Sequence, residues 1–126
     1  MVRVLLVEDN QMFRETFKEH LGLRFPSMLI DEAKNGDEAM EKVNVSPPDL
    51  IFMDISLPGE NGLQLTQKIK KDFPKVSIAL LTGYDLPEYR QAGVQNGADG
   101  FFIKELVQWD EVEAFVKSIE QISSGS

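Results

Sequence analysis

Five side chains stand out for where they fall along the chain. Glu8 and Asp9 follow the apolar run Val4-Leu5-Leu6-Val7. Asp54 follows Leu50-Ile51-Phe52-Met53, Thr82 follows Ala79-Leu80-Leu81, and Lys104 follows Phe101-Phe102-Ile103. In open parallel sheets, sites form outside the carboxyl ends of the strands. If these runs are neighbouring strands, the five side chains converge. Two like charges ~4 Å apart repel by roughly 4 kcal/mol at an effective dielectric near 20. Three grouped carboxylates therefore require a cation or a held proton. Oxygen ligands with no His or Cys beside them suit a hard cation, Mg²⁺ first. A carboxylate, a divalent metal, a lysine and a hydroxyl together make a site for phosphoryl transfer, where positioning and charge neutralisation do most of the work.

Each residue alone has a plainer reading. Asp9 or Asn10 fits an N-cap for a first helix. Asp54 fits the start of a turn, Thr82 a turn residue and Lys104 a surface lysine. His20 reads as a solvated side chain near a helix end. Asp31, Asp37, Asp49, Asp72, Asp85 and Asp99 read as surface or capping groups, and Trp109 as packing. The functional reading rests on all five landing after different strands at one sheet edge. Because Thr82 and Lys104 lie there rather than in a core stripe, their removal is expected to cost folding no more than a surface change, about ±0.5 kcal/mol.

The elements that must hold these residues are legible in the pattern. Short apolar runs recur at Val2–Val7, Met28–Ala33, Leu50–Met53, Ser77–Leu81 and Gly100–Ile103. Most are uninterrupted, as in strands buried on both faces. Between them apolar residues take helical spacing: Phe13, Phe17 and Leu21; Ala39 and Val43; Leu65, Ile69 and Phe73; and Val112, Phe115, Val116, Ile119 and Ile122. Phe25-Pro26, Asn35-Gly36, Pro47-Pro48, Pro58-Gly59, Phe73-Pro74 and Asn96-Gly97 punctuate the elements. The alternation predicts an α/β domain, a five-stranded parallel sheet with helices on both faces. The fold expected is flavodoxin-like, of order 2-1-3-4-5, in which strands one, three, four and five would be neighbours. The segment Leu86–Gln95 has a weak apolar stripe and predicts a short, marginal fourth helix.

Composition narrows the classes. A length of 126 residues suits one domain, here 1–122, followed by a polar tail or linker start over 123–126. Cysteine is absent, which removes disulfides, thiolate metal sites and cysteine nucleophiles. The net charge of −8 disfavours direct binding of nucleic acid, whose affinity comes largely from Lys and Arg on phosphates. No leader pattern and no apolar stretch near ~18 residues is present, so a soluble, cytoplasmic chain without membrane contact is expected.

Four ordered motifs carry a resemblance. They are Val4-Leu5-Leu6-Val7-Glu8-Asp9, the stretch Pro48-Asp49-Leu50-Ile51-Phe52-Met53-Asp54-Ile55-Ser56-Leu57-Pro58-Gly59-Glu60-Asn61-Gly62, then Ala79-Leu80-Leu81-Thr82-Gly83, and Gly97-Ala98-Asp99-Gly100-Phe101-Phe102-Ile103-Lys104. Asp9 to Asp54 is 45 residues, Asp54 to Thr82 is 28 and Thr82 to Lys104 is 22. With these motifs the chain resembles receiver domains of bacterial two-component response regulators over nearly its whole length. The resemblance implies that Asp54 takes a phosphoryl group from a phosphohistidine on a partner histidine kinase or phosphotransfer protein. It implies that Glu8 and Asp9, with Asp54 and the Ser56 carbonyl, hold Mg²⁺. It implies Thr82 as the hydroxyl that moves to the new phosphoryl group, Lys104 as its cationic partner and Phe101 as the switch aromatic. The family relays the change to the face of helix four, strand five and helix five, where a partner or a second copy docks on phosphorylation. Such a protein catalyses its own phosphorylation and slow dephosphorylation rather than turning over a separate substrate. Ser56 and Tyr84 match the positions that flank the approach of hydrolytic water. Ser56 is too short to act as a strong base, and Tyr84 is expected to shield the phosphoryl group.

Two positions depart from the commoner pattern. Glu105 follows the lysine where the family often has proline after a cis bond, and a cis bond before a non-proline residue costs ~2.5–4 kcal/mol. Phe101 lacks the hydroxyl of the common tyrosine, so a switch there rests on packing. The local flavour is similar to the subgroup with a C-terminal helix-turn-helix DNA-binding domain. No such domain follows within these residues, which leaves a stand-alone regulator or an excised receiver. A phosphate-cradling flavin or nucleotide binder would want Gly, Ser or Thr where Glu8-Asp9-Asn10-Gln11 stands. A topoisomerase-primase type nuclease would want a second aspartate where Ser56 stands. A degenerate receiver, docking without phosphorylation, remains the alternative.

Overall fold

A computed structural model describes residues 2–125, with side chains through Gln121. The elements alternate as β1 (Arg3–Val7), α1 (Gln11–Arg24), β2 (Leu29–Ala33), α2 (Gly36–Val45), β3 (Leu50–Asp54), α3 (Gly62–Asp72), β4 (Ser77–Thr82), α4 (Pro87–Gln95), β5 (Gly100–Ile103), a 3₁₀ turn (Lys104–Leu106) and α5 (Trp109–Gly125). All four strand pairs are parallel and the order is β2-β1-β3-β4-β5, as expected. Ile122 and the polar tail expected over 123–126 have side chains, and Ser126 its backbone, outside the described residues.

Two apolar layers sandwich the sheet. On one face Phe52 and Leu6 of the strands meet Phe17 and Leu21 of α1 and Val112, Val116 and Ile119 of α5. On the other, Ile51, Met53 and Leu80 meet Ala39 and Val43 of α2 and Leu65 and Ile69 of α3. β3 is central and covered on both sides, so every residue of it is buried. The uninterrupted runs of β1 and β4 have the same cause. The two outer strands differ from that expectation. β2 alternates, with Leu29 55 % exposed, and β5 is half-buried along Gly100–Phe102. An edge strand has a neighbour on one side only, and its helices cover it incompletely. The free edge of β2 is blunted by charge: Glu32 pairs with Arg14 and Lys18, and Asp31 with Lys42.

Local chemistry starts the first three helices in the same way. Asn10, Asn35 and Asn61 each accept, through the side chain, the backbone N–H three residues on. α4 has no such cap and buries only Gly93, in line with its weak stripe. It ends at Asn96, followed by Gly97 at φ 92°, a conformation that favours glycine. No peptide bond among the described residues is cis, and Lys104-Glu105 lies in the 3₁₀ turn.

Candidate functional site

β1 and β3 are adjacent, with Val7 opposite Met53. Their ends therefore deliver Glu8 and Asp54 side by side. Asp54 is the last residue of β3 and 2 % exposed. Its Oδ1 accepts the Ser56 N–H at 3.0 Å and its Oδ2 accepts Lys104 Nζ at 3.2 Å. Glu8 is fully buried. Its own N–H is held by the Ala33 carbonyl at 2.9 Å, and its Oε2 accepts the Asn10 N–H at 3.0 Å. Lys104 Nζ lies 2.5 Å from Glu8 Oε1, an ion pair without the alignment of a hydrogen bond, so this buried oxygen has no aligned donor. Asp9 is exposed at the mouth of the same pocket. Carboxylate oxygens of Glu8, Asp9 and Asp54 lie within 4.8 Å of one another.

Burial, opposed by Lys104 and reinforced by Asp54, pushes the Glu8 carboxyl up to about 7. Burial by itself would lower the Lys104 ammonium, but Glu8 and Asp54 overcome it and hold Lys104 above its usual range. One lysine thus faces two buried carboxylates and an exposed third. The surplus negative charge and the all-oxygen donor set fit a hard divalent cation.

Thr82 ends β4, one residue beyond Leu81, the register partner of Asp54. Its Oγ1 accepts the Tyr84 N–H at 3.1 Å. Thr82 is 1 % exposed and the Lys104 side chain 18 %. The expectation that both behave as surface residues is corrected: Thr82 is enclosed, and Lys104 is the counter-ion of a buried acidic pair. Removing either is a core change. Phe101 is the second residue of β5 and half-buried, with the Arg90 guanidinium 4.7 Å from its ring centre. Tyr84 is 59 % exposed and its ring meets Tyr89 of α4 edge-on at 6.3 Å. Glu8, Asp9, Asp54 and Lys104 therefore come together in one pocket, with Thr82 on the adjoining strand. Ser56 adjoins through its backbone, while the ring contacts of Phe101 and Tyr84 lie towards α4.

Three neighbours carry more than their sequence pattern showed. Asn10 caps α1, as that pattern allowed, and also grips Glu8. Gly62 opens α3 so close to β3 that an added Cβ would sit 2.1 Å from the Asp54 carbonyl oxygen. Phe13 belongs to the helical stripe, yet its ring also lies 4.8 Å from Lys104 Nζ. In the sequence Gly62 stood out only as part of the motif that follows Asp54, and nothing in the spacing marked the third.

Comparison with known proteins agrees with this geometry. Residues 4–117 match the family model of the response regulator receiver domain. The oxygen regulatory protein NreC of Staphylococcus carnosus is 36% identical over 104 residues, 82% of this chain and 48% of that protein. The response regulator protein VraR of Staphylococcus saprophyticus is 32% identical over 119 residues, 93% of this chain and 56% of that one. The chain spans about half the length of the curated relatives it matches. Among solved structures, the response regulator TrrA of Thermotoga maritima, in complex with Mg²⁺-BeF, superposes with a TM-score of 0.82 at 35% identity, covering 94% of this chain and 99% of that one. A LuxR-family two-component response regulator from Aurantimonas gives a TM-score of 0.85 at 26% identity, covering 95% and 86%. Among the described residues no helix is long and apolar enough to cross a membrane. The chain belongs to the response regulator receiver-domain family, whose place is in phosphorylation-activated two-component signalling.

Proposed function

We propose that this domain accepts a phosphoryl group on Asp54 from a phosphohistidine of a partner kinase or phosphotransfer protein, and passes the change to the α4-β5-α5 face. The observation that carries this reading is the pairing of Asp54: a buried carboxylate with one oxygen on a backbone N–H, the other on Lys104, and two further carboxylates within 4.8 Å. An Asp54 oxygen attacks phosphorus, the phosphorus–nitrogen bond breaks, and the imidazole leaves with its electron pair and takes up a proton. Glu8, Asp9 and Asp54, with the Ser56 carbonyl, are the residues that would hold Mg²⁺. When bound, Mg²⁺ neutralises charge on the transferring oxygens.

The protein's own groups do the rest. Ser56 N–H orients the Asp54 carboxylate. Lys104 supplies a fixed positive charge where negative charge accumulates. Thr82 gives up the Tyr84 N–H to donate its hydroxyl to the new phosphoryl oxygen. Phe101 lacks a hydroxyl, so its response rests on packing and starts from its place beside Gly93 and its contact with the Arg90 guanidinium. The relatives NreC and VraR are regulatory proteins of which the matched region is about half, which supports an output carried by a further segment. A phosphorylation-dependent homodimer through the α4-β5-α5 face is part of the same reading.

Intact mass after incubation with acetyl phosphate and Mg²⁺ tests it. One phosphoryl group should be gained, and none in EDTA or in Asp54→Ala. Equal labelling in EDTA, or labelling that persists in Asp54→Ala, would overturn the assignment.

A further inference from the structure

Among the described residues Lys104 has three partners, of which two are charged. Glu8 Oε1 lies 2.5 Å and Asp54 Oδ2 3.2 Å from its Nζ. The third is the ring of Phe13, whose centre is 4.8 Å from the same nitrogen. An ammonium within ~6 Å of an aromatic centre is attracted by the ring's quadrupole. The ring is placed by the pocket it serves. Asn10 donates its N–H to Glu8 Oε2 at 3.0 Å, and its side chain accepts the Phe13 N–H at 2.9 Å. Glu8, Asn10, Phe13 and Lys104 therefore close a ring of contacts. Below it, Phe13 stacks on the buried Phe17 at 5.6 Å, and Phe17 packs on Phe52 at 5.0 Å and Trp109 at 4.8 Å.

We propose that Phe13 is a positioning residue for Lys104, holding its ammonium at the pocket by a cation–π contact. The role follows from what each partner does during the reaction, and to that extent it rests on the phosphoryl-transfer reading. Glu8 and Asp54 are also the groups assigned to a divalent cation and to the phosphoryl group, so their hold on Lys104 changes as either arrives. The Phe13 ring has no net charge and no competing ligand. It is the one partner whose attraction persists through every state of the site. A leucine of similar bulk would keep the apolar contact with Phe17 but lose the quadrupole. A tyrosine would keep both.

Calorimetric titration with beryllofluoride and Mg²⁺ reads the effect. Phe13→Leu should weaken binding about three- to tenfold, the range of a partly desolvated cation–π contact, and Phe13→Tyr should stay within about twofold. Pentafluorophenylalanine at position 13 keeps the ring's shape and reverses its quadrupole, so the contact becomes repulsive and binding should weaken at least as much as with leucine. If the fluorinated ring binds like the native one, the inference fails. A second measurement needs neither metal nor phosphoryl mimic. In a double-mutant cycle of Phe13→Leu with Lys104→Gln on urea unfolding without Mg²⁺, the two substitutions should couple by about three- to tenfold in the unfolding constant. Zero coupling there overturns the contact itself. Coupling present in a wild type that binds no beryllofluoride supports the contact and instead defeats the phosphoryl-transfer reading.

Discussion

The two halves of the sheet's carboxyl edge are built to opposite standards. Around β1, β3 and α3 the chain is closed. All of β3 is buried, α3 is capped by Asn61 and buries Gly62, Leu65, Thr66 and Ile69, and both Asp54 oxygens have donors. Around α4 and β5 it is thinly held. α4 has no side-chain cap and buries only Gly93, Val94 and Leu86 are exposed, and three of the four β5 residues are half-buried. The first half holds Asp54 by burial and by a donor on each of its oxygens. The second has few apolar contacts to lose, which is the condition for an element that moves at low cost. Thr82 joins them, being buried with β4 while its hydroxyl holds Tyr84 at the start of the loose half. On the proposed function, the division separates chemistry from response in space, with the Thr82 hydroxyl between them.

The sharpest way to break this contrast is to add one methyl group to each half. A Cβ at Gly62 would meet the Asp54 carbonyl oxygen at 2.1 Å and the Ile55 Cα at 3.0 Å, both backbone atoms that cannot yield. A Cβ at Gly93 would meet Leu80 Cδ1 at 2.9 Å, the tip of a side chain. Alanine inside a helix also gains roughly 1 kcal/mol of propensity over glycine. Gly62→Ala should cost about 2–4 kcal/mol, by forced backbone displacement next to Asp54. Gly93→Ala should fall within about 1 kcal/mol of wild type. Urea unfolding of the two variants decides it. Equal costs would mean that the α4 half is as rigid as the β3 half.

The acidic half also predicts a pH dependence. Glu8 has an ordinary value of 4.5 and is pushed up to about 7 in the folded protein, chiefly by burial. A raised carboxyl binds its proton more tightly when folded. Its stabilising contribution is therefore complete below pH 4.5 and is lost as the pH rises through about 7. Between pH 5 and pH 8 the metal-free domain should lose on the order of 1–3 kcal/mol. Asp31, lowered by Lys42 against the raising effect of its partial burial, acts below 3.8, and Lys104 acts above 10.5, so neither opposes the trend inside this window. Urea midpoints across the range, with and without Mg²⁺, check it. Glu8→Gln should flatten the profile, and Mg²⁺ should restore stability more at pH 8 than at pH 6, where it competes with the proton. A stability that rises from pH 5 to pH 8 without metal would contradict the burial of Glu8 as a charged group.

How far these features were readable from the sequence follows the same division. The strands and the residues closing them were legible, because apolar runs are one-dimensional signals; the strand order, and with it the meeting of Glu8, Asp9, Asp54 and Lys104, rested on the flavodoxin-like arrangement expected for that pattern. The weakness of α4 was legible too, from a stripe too narrow to bury. Edge effects were not: Leu29 lies in an apolar run and is exposed because β2 has no outer neighbour. Nor was the enclosure of Thr82 and Lys104, since a residue past a strand end reads as surface until the loops around it are known. Phe13 shows a further limit. Its i, i+4 spacing with Phe17 signals a core face, and the same ring serves the core and the cation together.

The smallest effect tests the seam between the halves. Tyr84 hangs on Thr82 by its own N–H at 3.1 Å, and its exposed ring leans on Tyr89 of α4. When the Thr82 hydroxyl turns to a phosphoryl group, that N–H loses its acceptor and the ring loses its tether. On the proposed function, the untethered ring obstructs the in-line approach of water, while Ser56, too short to act as a base, does nothing to speed it. The ring's contact with Tyr89 competes with that position, so shielding is partial. Tyr84→Ala should therefore speed phosphoryl loss from Asp54 by about two- to threefold, a barrier change of roughly 0.4–0.7 kcal/mol. Tyr89→Ala, by releasing the ring from α4, should slow it by a similar factor. Both rates can be followed by intact mass with Mg²⁺ present and the phosphodonor removed. If Tyr84→Ala leaves the rate unchanged, the ring belongs to the responsive half alone, and water reaches the phosphoryl group without crossing the seam.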